Sequence, residues 1–357
     1  MRNKLKSVKT RVGISVGDIN GVGLEVIMKA FSDSRIFDFC TPLLYASSSY
    51  LLDYQKKIGL KNFSFHPLKN REKPISKKLN LIDCWDEDIE IHFGEDTEAG
   101  GAFALKSLSE SVKGLKNNEV DVLVTAPINK YNIQSKEFDF PGHTEYLAKE
   151  FEGKALMFMV TDSLRIGVVT GHIPISDIAS SISETMISEK IEQIDASLKC
   201  DFNIRKPKIA VLGLNPHAGD NGLLGQEEEK TIIPALQKAE DKGLLAFGPY
   251  PADGFFGSNQ LKAFDGVLAM YHDQGLVPFK TLSFGNGVNF TSGLSIIRTS
   301  PDHGTAFDIA GKNIASESSF TQAIYTACEV YKKRQEWQEH NSNILPSQPK
   351  KDNSRKR

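Results

Sequence analysis

Short β-branched runs alternate with longer amphipathic stretches along most of this chain, and that alternation limits its fold more than any other feature. Val12 to Val16, Val120 to Thr125, Leu164 to Thr170, Lys208 to Leu212 and Gly266 to Met270 read as buried strands. Helix candidates cover Gly23 to Phe31, Gly100 to Leu115, Ser183 to Leu198, Glu227 to Lys242 and Ser319 to Trp337, each with apolar residues three and four apart. The pattern predicts an α/β fold whose mostly parallel sheet is flanked by helices. A chain of 357 residues exceeds one ordinary compact core, so two domains, or one large unit with a cleft, are expected over positions 1–331. From Lys332 the sequence turns polar and ends on Lys350, Lys351, Arg355, Lys356 and Arg357. Positions 332–357 therefore read as a disordered basic tail.

Composition narrows the function. A formal net charge of -2 gives no electrostatic case for nucleic acid, which leaves a small molecule as the expected partner. No apolar run approaches the ~20 residues that span a bilayer, and Met1 to Arg11 lacks the apolar core of a signal peptide, so a cytoplasmic protein is expected. Cys40, Cys84, Cys200 and Cys328 form no Cys-x-x-Cys pair and read as reduced structural thiols.

Several segments carry candidate chemistry. Gly17-Asp18-Ile19-Asn20-Gly21-Val22-Gly23 joins the first strand to the first helix. It reads either as a ligand-facing turn that offers helix N–H groups to an anion, or as a tight turn with no ligand. His143, His172, His217 and His272 all sit in turn-like settings, and the last three follow apolar runs ending at Thr170, Leu214 and Met270. Parallel strands deliver such residues to one cleft, and three imidazoles with an open position suit a catalytic divalent metal. Lys280, Asn289 and Arg298 offer a point charge, neutral donors and a planar fork, a set able to grip a phosphate or carboxylate if they are not simply solvated. His303-Gly304-Thr305-Ala306-Phe307-Asp308-Ile309-Ala310-Gly311-Lys312 is a small-residue loop able to wrap a nucleotide, with Asp308 accepting from ribose hydroxyls.

Taken together these segments resemble the 4-hydroxythreonine-4-phosphate dehydrogenases of vitamin B6 synthesis, from about Val12 to about Tyr331. The likeness rests on Gly17-Asp18 with Gly21 and Gly23, Thr125-Ala126-Pro127-Ile128-Asn129-Lys130, Pro141-Gly142-His143-Thr144-Glu145, Gly213 to Gly219, Gly248-Pro249 with Pro251-Ala252-Asp253, Ala269 to Gly275 and Asp302 to Ala306. It implies an isocitrate/isopropylmalate dehydrogenase-like fold, with two α/β domains around a central active-site cleft and a homodimer completing each site. It implies His172, His217 and His272 as ligands of one divalent metal (zinc, magnesium, manganese or cobalt), and His143, Thr144, Lys280, Asn289 and Arg298 as substrate residues. His303, Gly304, Thr305, Ala306 and Asp308 become the NAD or NADP loop, where Asp308 disfavours a ribose phosphate and so leans towards NAD. Asp253 and Asp273 are candidates for proton transfer or for orienting a metal-bound histidine.

The implied reaction is oxidation of 4-phosphohydroxy-L-threonine followed by decarboxylation to 3-amino-2-oxopropyl phosphate. Two departures lie near the site: family members usually read Gly-Asp-Pro-Ala-Gly where this chain has Gly17-Asp18-Ile19-Asn20-Gly21, and often Thr-His-Ile-Pro where it has Gly171-His172-Ile173-Pro174. Dehydrogenases of D-threonate or D-erythronate 4-phosphate share the same metal and phosphate residues and form the alternative. A non-catalytic metal- or phosphate-binding protein would bind ligand without producing NADH.

Overall fold

The computed structural model describes residues 9–69 and 72–342. Twelve strands form one sheet: β1 (Thr10–Ser15), β2 (Cys40–Ala46), β3 (Phe65–Pro67), β4 (Leu79–Asp83), β5 (Val122–Thr125), β6 (Gly153–Val160), β7 (Arg165–Val168), β8 (Lys208–Leu212), β9 (Leu245–Tyr250), β10 (Gly266–Ala269), β11 (Val288–Leu294) and β12 (Arg298–Pro301). The helices are α1 (Gly23–Ser32), α2 (Ser48–Ile58), α3 (Glu98–Lys116), α4 (His143–Glu150), α5 (Ile178–Ser181), α6 (Glu184–Cys200), α7 (Ile233–Asp241), α8 (Ala252–Phe256), α9 (His272–Ser283) and α10 (Ser318–Ser342). Each strand foreseen from the sequence is present, and so is each helix. The helix expected over Glu227 to Lys242 opens with a π turn at Glu228–Ile232 before α7.

The sheet order is β3-β4-β2-β1-β5-β12-β11-β6-β7-β10-β8-β9. Eight neighbouring pairs are parallel. The three antiparallel pairs, β12 with β11, β11 with β6 and β6 with β7, sit together in the middle. Two parallel halves running in opposite directions are thus joined at an antiparallel waist. The expectation of a mostly parallel sheet holds, and the waist is the part it lacked.

Local sequence explains the helices. Thr97 caps α3 by accepting from the Gly100 amide, and Ser183 caps α6 by accepting from Met186. Helix α2 stops where Gly59 turns left-handed at φ +69°. Ile187, Ile191, Ile194 and Leu198 form the buried stripe of α6 on the sheet, each worth about 1.5–3 kcal/mol of burial. Phe320, Ala323, Ile324, Ala327 and Val330 do the same for α10.

One expectation needs correction. The polar stretch from Lys332 is not irregular at its start, because α10 continues to Ser342. Arg334 fastens it: Nη2 lies 2.7 Å from Asp201, and Nη1 donates to the carbonyls of Leu294, Ser295 and Ile296. Positions 343–357 of the expected tail lie outside the described residues.

Candidate active site

At the waist, Arg298 of β12 stands opposite Thr291 of β11, which stands opposite Met157 of β6. Directly paired residues share a face, so all three point to the same side of the sheet. The next residue, Thr299, points the other way and donates to the Ala323 carbonyl of α10. Arg298 is 3% exposed. Its guanidinium donates to Thr125 Oγ1 from Nε (3.0 Å) and Nη2 (2.6 Å), and to Thr291 Oγ1 from Nη1 (3.2 Å). Among the described residues these hydroxyls are its only hydrogen-bond partners. Burial pushes its pKa down to about 9, against the raising influence of Glu145, so it remains cationic at neutral pH.

Helix α4 starts over this arginine. His143, its first residue, shares with Arg298 and Asn289 a cavity of about 350 Å³ that Lys130, Thr144, Glu145, His172 and Lys190 also line. His143 Nε2 and Asn289 Oδ1 are sealed from solvent with no hydrogen-bond partner among the described residues. An amide can present either end, so Asn289 can offer a donor here. The His143 ring is held well below its ordinary pKa, first by burial and then by Arg298 and Lys130. A buried cation hydrogen-bonded to no carboxylate, a neutral imidazole and an unpartnered amide around one cavity, with Glu145 on its wall, are a candidate set for holding an anion.

The histidines of the other half emerge together because β7, β10 and β8 are neighbours. Their strand ends are tied by side chains. Thr170 donates to the Met270 carbonyl from its amide (3.2 Å) and its hydroxyl (2.9 Å). Gln274 accepts from the Met270 amide at 2.7 Å and donates to the Gly213 carbonyl at 2.6 Å. The rings of His172 and His272 lie 5.3 Å apart between centroids. His272 Nδ1 is 2.7 Å from Asp273 Oδ1, and a proton held there leaves Nε2 as a ligand. The His172 pKa is lowered by burial, then by Lys130 and His272, which favours the neutral form a metal needs.

His217 is carried on the turn Pro216–Gly219, at φ +54°. Within one chain, no three His, Cys, Asp or Glu side chains among the described residues are gathered closely enough to hold an ion. The pair His172 and His272 fits a late divalent metal by donor type, with His217 at the end of the next strand but not joined to them.

Other expected residues are placed less centrally. Lys280 does not line the Arg298 cavity; its Nζ lies 3.6 Å from Asp302, whose own pKa burial raises against Lys280, His303 and His272. Asp253 of α8 and Asp273 line a second, open groove of about 620 Å³ with Phe256, Val277 and Leu282. Asp308 is exposed, and the loop from His303 is seated by Val22, whose amide donates to the Thr305 carbonyl. The reading of Gly17 to Gly23 as a turn that offers N–H groups to an anion is overturned. Gly23, Leu24 and Glu25 are buried, and a Cβ at Gly21 would meet Thr305 while one at Gly17 would meet Pro127. These glycines allow chain to pack on chain. Lys130, Lys190, Thr125 and Thr291 went unassigned by sequence reasoning. Thr125 and Lys130 bound a family motif, whereas Thr291 and Lys190 gave no sequence signal.

Known proteins resemble this chain over most of its length. The chain is 48% identical over 330 residues to a 4-hydroxythreonine-4-phosphate dehydrogenase of Bacteroides thetaiotaomicron, covering 92% of this chain and 90% of the relative. It is 37% identical over 329 residues, 91% of this chain and 98% of the relative, to a protein of Oceanobacillus iheyensis provisionally named a D-threonate 4-phosphate dehydrogenase. The crystal structure of 4-hydroxythreonine-4-phosphate dehydrogenase from Klebsiella pneumoniae superposes with a TM-score of 0.78 at 30% identity, covering 91% of this chain and 98% of that one. A family model described as pyridoxal phosphate biosynthetic protein PdxA matches residues 38–327. With the two-halved sheet, the anion cavity and the strand-end histidines in one frame, this chain belongs to the PdxA family.

Proposed function

We propose that this protein oxidises 4-phosphohydroxy-L-threonine with NAD or NADP and a divalent metal, and releases carbon dioxide to give 3-amino-2-oxopropyl phosphate for pyridoxal 5'-phosphate synthesis. The observation that carries the reading is Arg298, buried with no carboxylate hydrogen-bonded to it among the described residues, beside the unpartnered His143 Nε2 and Asn289 Oδ1. Such a group is stable only if the fold supports its charge for a ligand, and a phosphate supplies the missing partner.

Arg298, His143, Thr144 and Asn289 would bind the phosphate and orient the rest of the substrate towards the histidines, using binding energy remote from the reacting carbon. Lys280, 56% exposed at its side chain, can exchange Asp302 for that anion. His172, His217 and His272 would hold the metal, which when bound lowers the pKa of a substrate hydroxyl and steadies charge on its oxygen. Asp273 keeps His272 oriented, and Asp253 or Asp273 would hold or pass the proton released. The loop of His303, Gly304, Thr305, Ala306 and Asp308 would seat the dinucleotide, the hydride acceptor. We assign the open groove with its exposed Val277 and Leu282 to contact with a second copy, in a cytoplasmic homodimer with shared active sites.

The Oceanobacillus relative supports a second reading, with D-threonate 4-phosphate as the substrate. NADH absorbance with 4-phosphohydroxy-L-threonine, D-threonate 4-phosphate and D-erythronate 4-phosphate, each with zinc, magnesium, manganese or cobalt, tests both. Preferred turnover of the first supports the proposal, preferred turnover of either sugar acid replaces it, and no NADH from any favours a non-catalytic binder. His217→Ala should abolish turnover while circular dichroism stays native; near-normal rates with full metal retention would remove His217 from the ligand set.

A further inference from the structure

The turn that carries His217 is an improbable piece of backbone. His217, Ala218, Asp220 and Asn221 have φ of +54°, +52°, +43° and +55°, and Gly219 and Gly222 between and after them are also left-handed. Side chains with a Cβ avoid this region, so such a run persists only where its surroundings over-determine it. The surroundings here converge on one group. Glu228, 2% exposed, opens the π turn before α7, and its Oε1 accepts from the backbone amides of Leu214 (2.7 Å) and Asn215 (2.8 Å). Its Oε2 accepts from Asn215 Nδ2 at 2.9 Å, a donor also shared with Glu227 at 2.7 Å.

Little slack is left around that carboxylate. A Cβ on Gly219 would stand 2.6 Å from Glu228 Oε2, one on Gly213 would stand 3.1 Å from Oε1, and one on Gly225 would stand 2.4 Å from Asn215 Nδ2. Gln274 grips the near end of the segment through the Gly213 carbonyl, and the same side chain grips the strand end from which His272 emerges. The segment is therefore held at its base by α9 and along its length by Glu228.

We infer that Glu228 is a positioning residue, whose carboxylate holds residues 213–222 so that His217 is presented at the same sheet edge as His172 and His272. The inference rests on the reading of His217 as a metal ligand. Three N–H donors point at Glu228, so charge and shape both matter: a glutamine amide would turn its own N–H groups towards at least one of them. Glu228 touches no reacting group, and its effect reaches the metal through the placement of His217.

The test uses full-length wild type, Glu228→Gln and Asn215→Ala, each stripped of metal and titrated with zinc against a chromophoric chelator. NAD affinity and backbone amide exchange are measured on the same samples. Zinc affinity of the folded protein should fall about tenfold in Glu228→Gln and less in Asn215→Ala, with faster exchange over 213–222 and unchanged NAD affinity. A purely structural role predicts earlier melting with unaltered zinc affinity, and that result in both variants overturns the proposal. If Glu228→Gln does not fold, Asn215→Ala decides by the same criteria. If the wild type itself binds no zinc, the metal reading fails, and the positioning role is judged on exchange alone: unchanged rates over 213–222 overturn it and faster rates sustain it.

Discussion

On one side of the central sheet an arginine is buried and on the other an arginine is largely covered, and the two are treated in opposite ways. Arg334, on the α10 side, meets the carboxylate of Asp201 and three backbone carbonyls, with side-chain exposures of 14% and 3% for the pair. Arg298, on the cavity side, meets only the hydroxyls of Thr125 and Thr291. Both guanidiniums have lost most of their water. Only Arg334 has a carboxylate in direct contact, which makes it part of the fold, whereas Arg298 keeps its donors on hydroxyls and feels Glu145 only through space, as suits a residue proposed to receive an anion. The difference separates a structural ion pair from a candidate binding site without reference to any ligand.

The largest expected effect breaks the structural side. Arg334→Met leaves Asp201 buried without its partner and should cost about 3–5 kcal/mol in denaturant unfolding, while kcat/KM of the folded enzyme stays normal. Arg298→Met should do the reverse: stability holds or rises, because a desolvated cation has been removed, while kcat/KM on a 4-phosphorylated substrate falls more than about a hundredfold. Arg298→Lys keeps a charge but loses the fork, and should fall between about tenfold and a hundredfold, equivalent to roughly 1–3 kcal/mol. Loss of efficiency should be far smaller on the dephosphorylated substrate. Were Arg298→Met to unfold as readily as Arg334→Met, the contrast between the two arginines would collapse.

How much of this could be read in the sequence depends on how local the signal is. Strands buried on both faces, such as Val122–Thr125, announce themselves as apolar runs, and the histidines that follow β7, β8 and β10 could be placed at strand ends. The antiparallel waist could not, because β6 is rich in Leu and Met and its pairing with β11 joins residues more than a hundred positions apart. Arg298 was legible as a candidate for anion binding, yet the absence of a carboxylate hydrogen-bonded to it among the described residues exists only in three dimensions. Lys280 was legible by residue type as a candidate for a phosphate, whereas the Asp302 carboxylate 3.6 Å from its Nζ could not be read from the sequence. The Gly17 to Gly23 segment left two readings open because glycine signals close approach without saying to what, and here the approach is to the chain itself.

The smallest expected effect sharpens the contrast through pH. His143 is kept neutral by burial and by the neighbouring cations Arg298 and Lys130, so its folded pKa lies below the unfolded value of 6.5. Between those two values the unfolded chain binds the proton and the folded one does not. Stability contributed by this ring is therefore complete above about pH 6.5 and declines as pH falls towards the folded pKa. One proton sets an upper limit of about 1.4 kcal/mol per pH unit on the slope. His172, also lowered, adds to the same trend, so the informative quantity is the difference between wild type and His143→Gln. Unfolding free energies from pH 5 to pH 7 should show a shallower slope in the variant. Inorganic phosphate should flatten the wild-type slope too, because an anion beside Arg298 restores the charged imidazole, and it should have little influence in Arg298→Met. Identical slopes in wild type and His143→Gln, with or without phosphate, would mean that His143 does not sense the charge in this cavity.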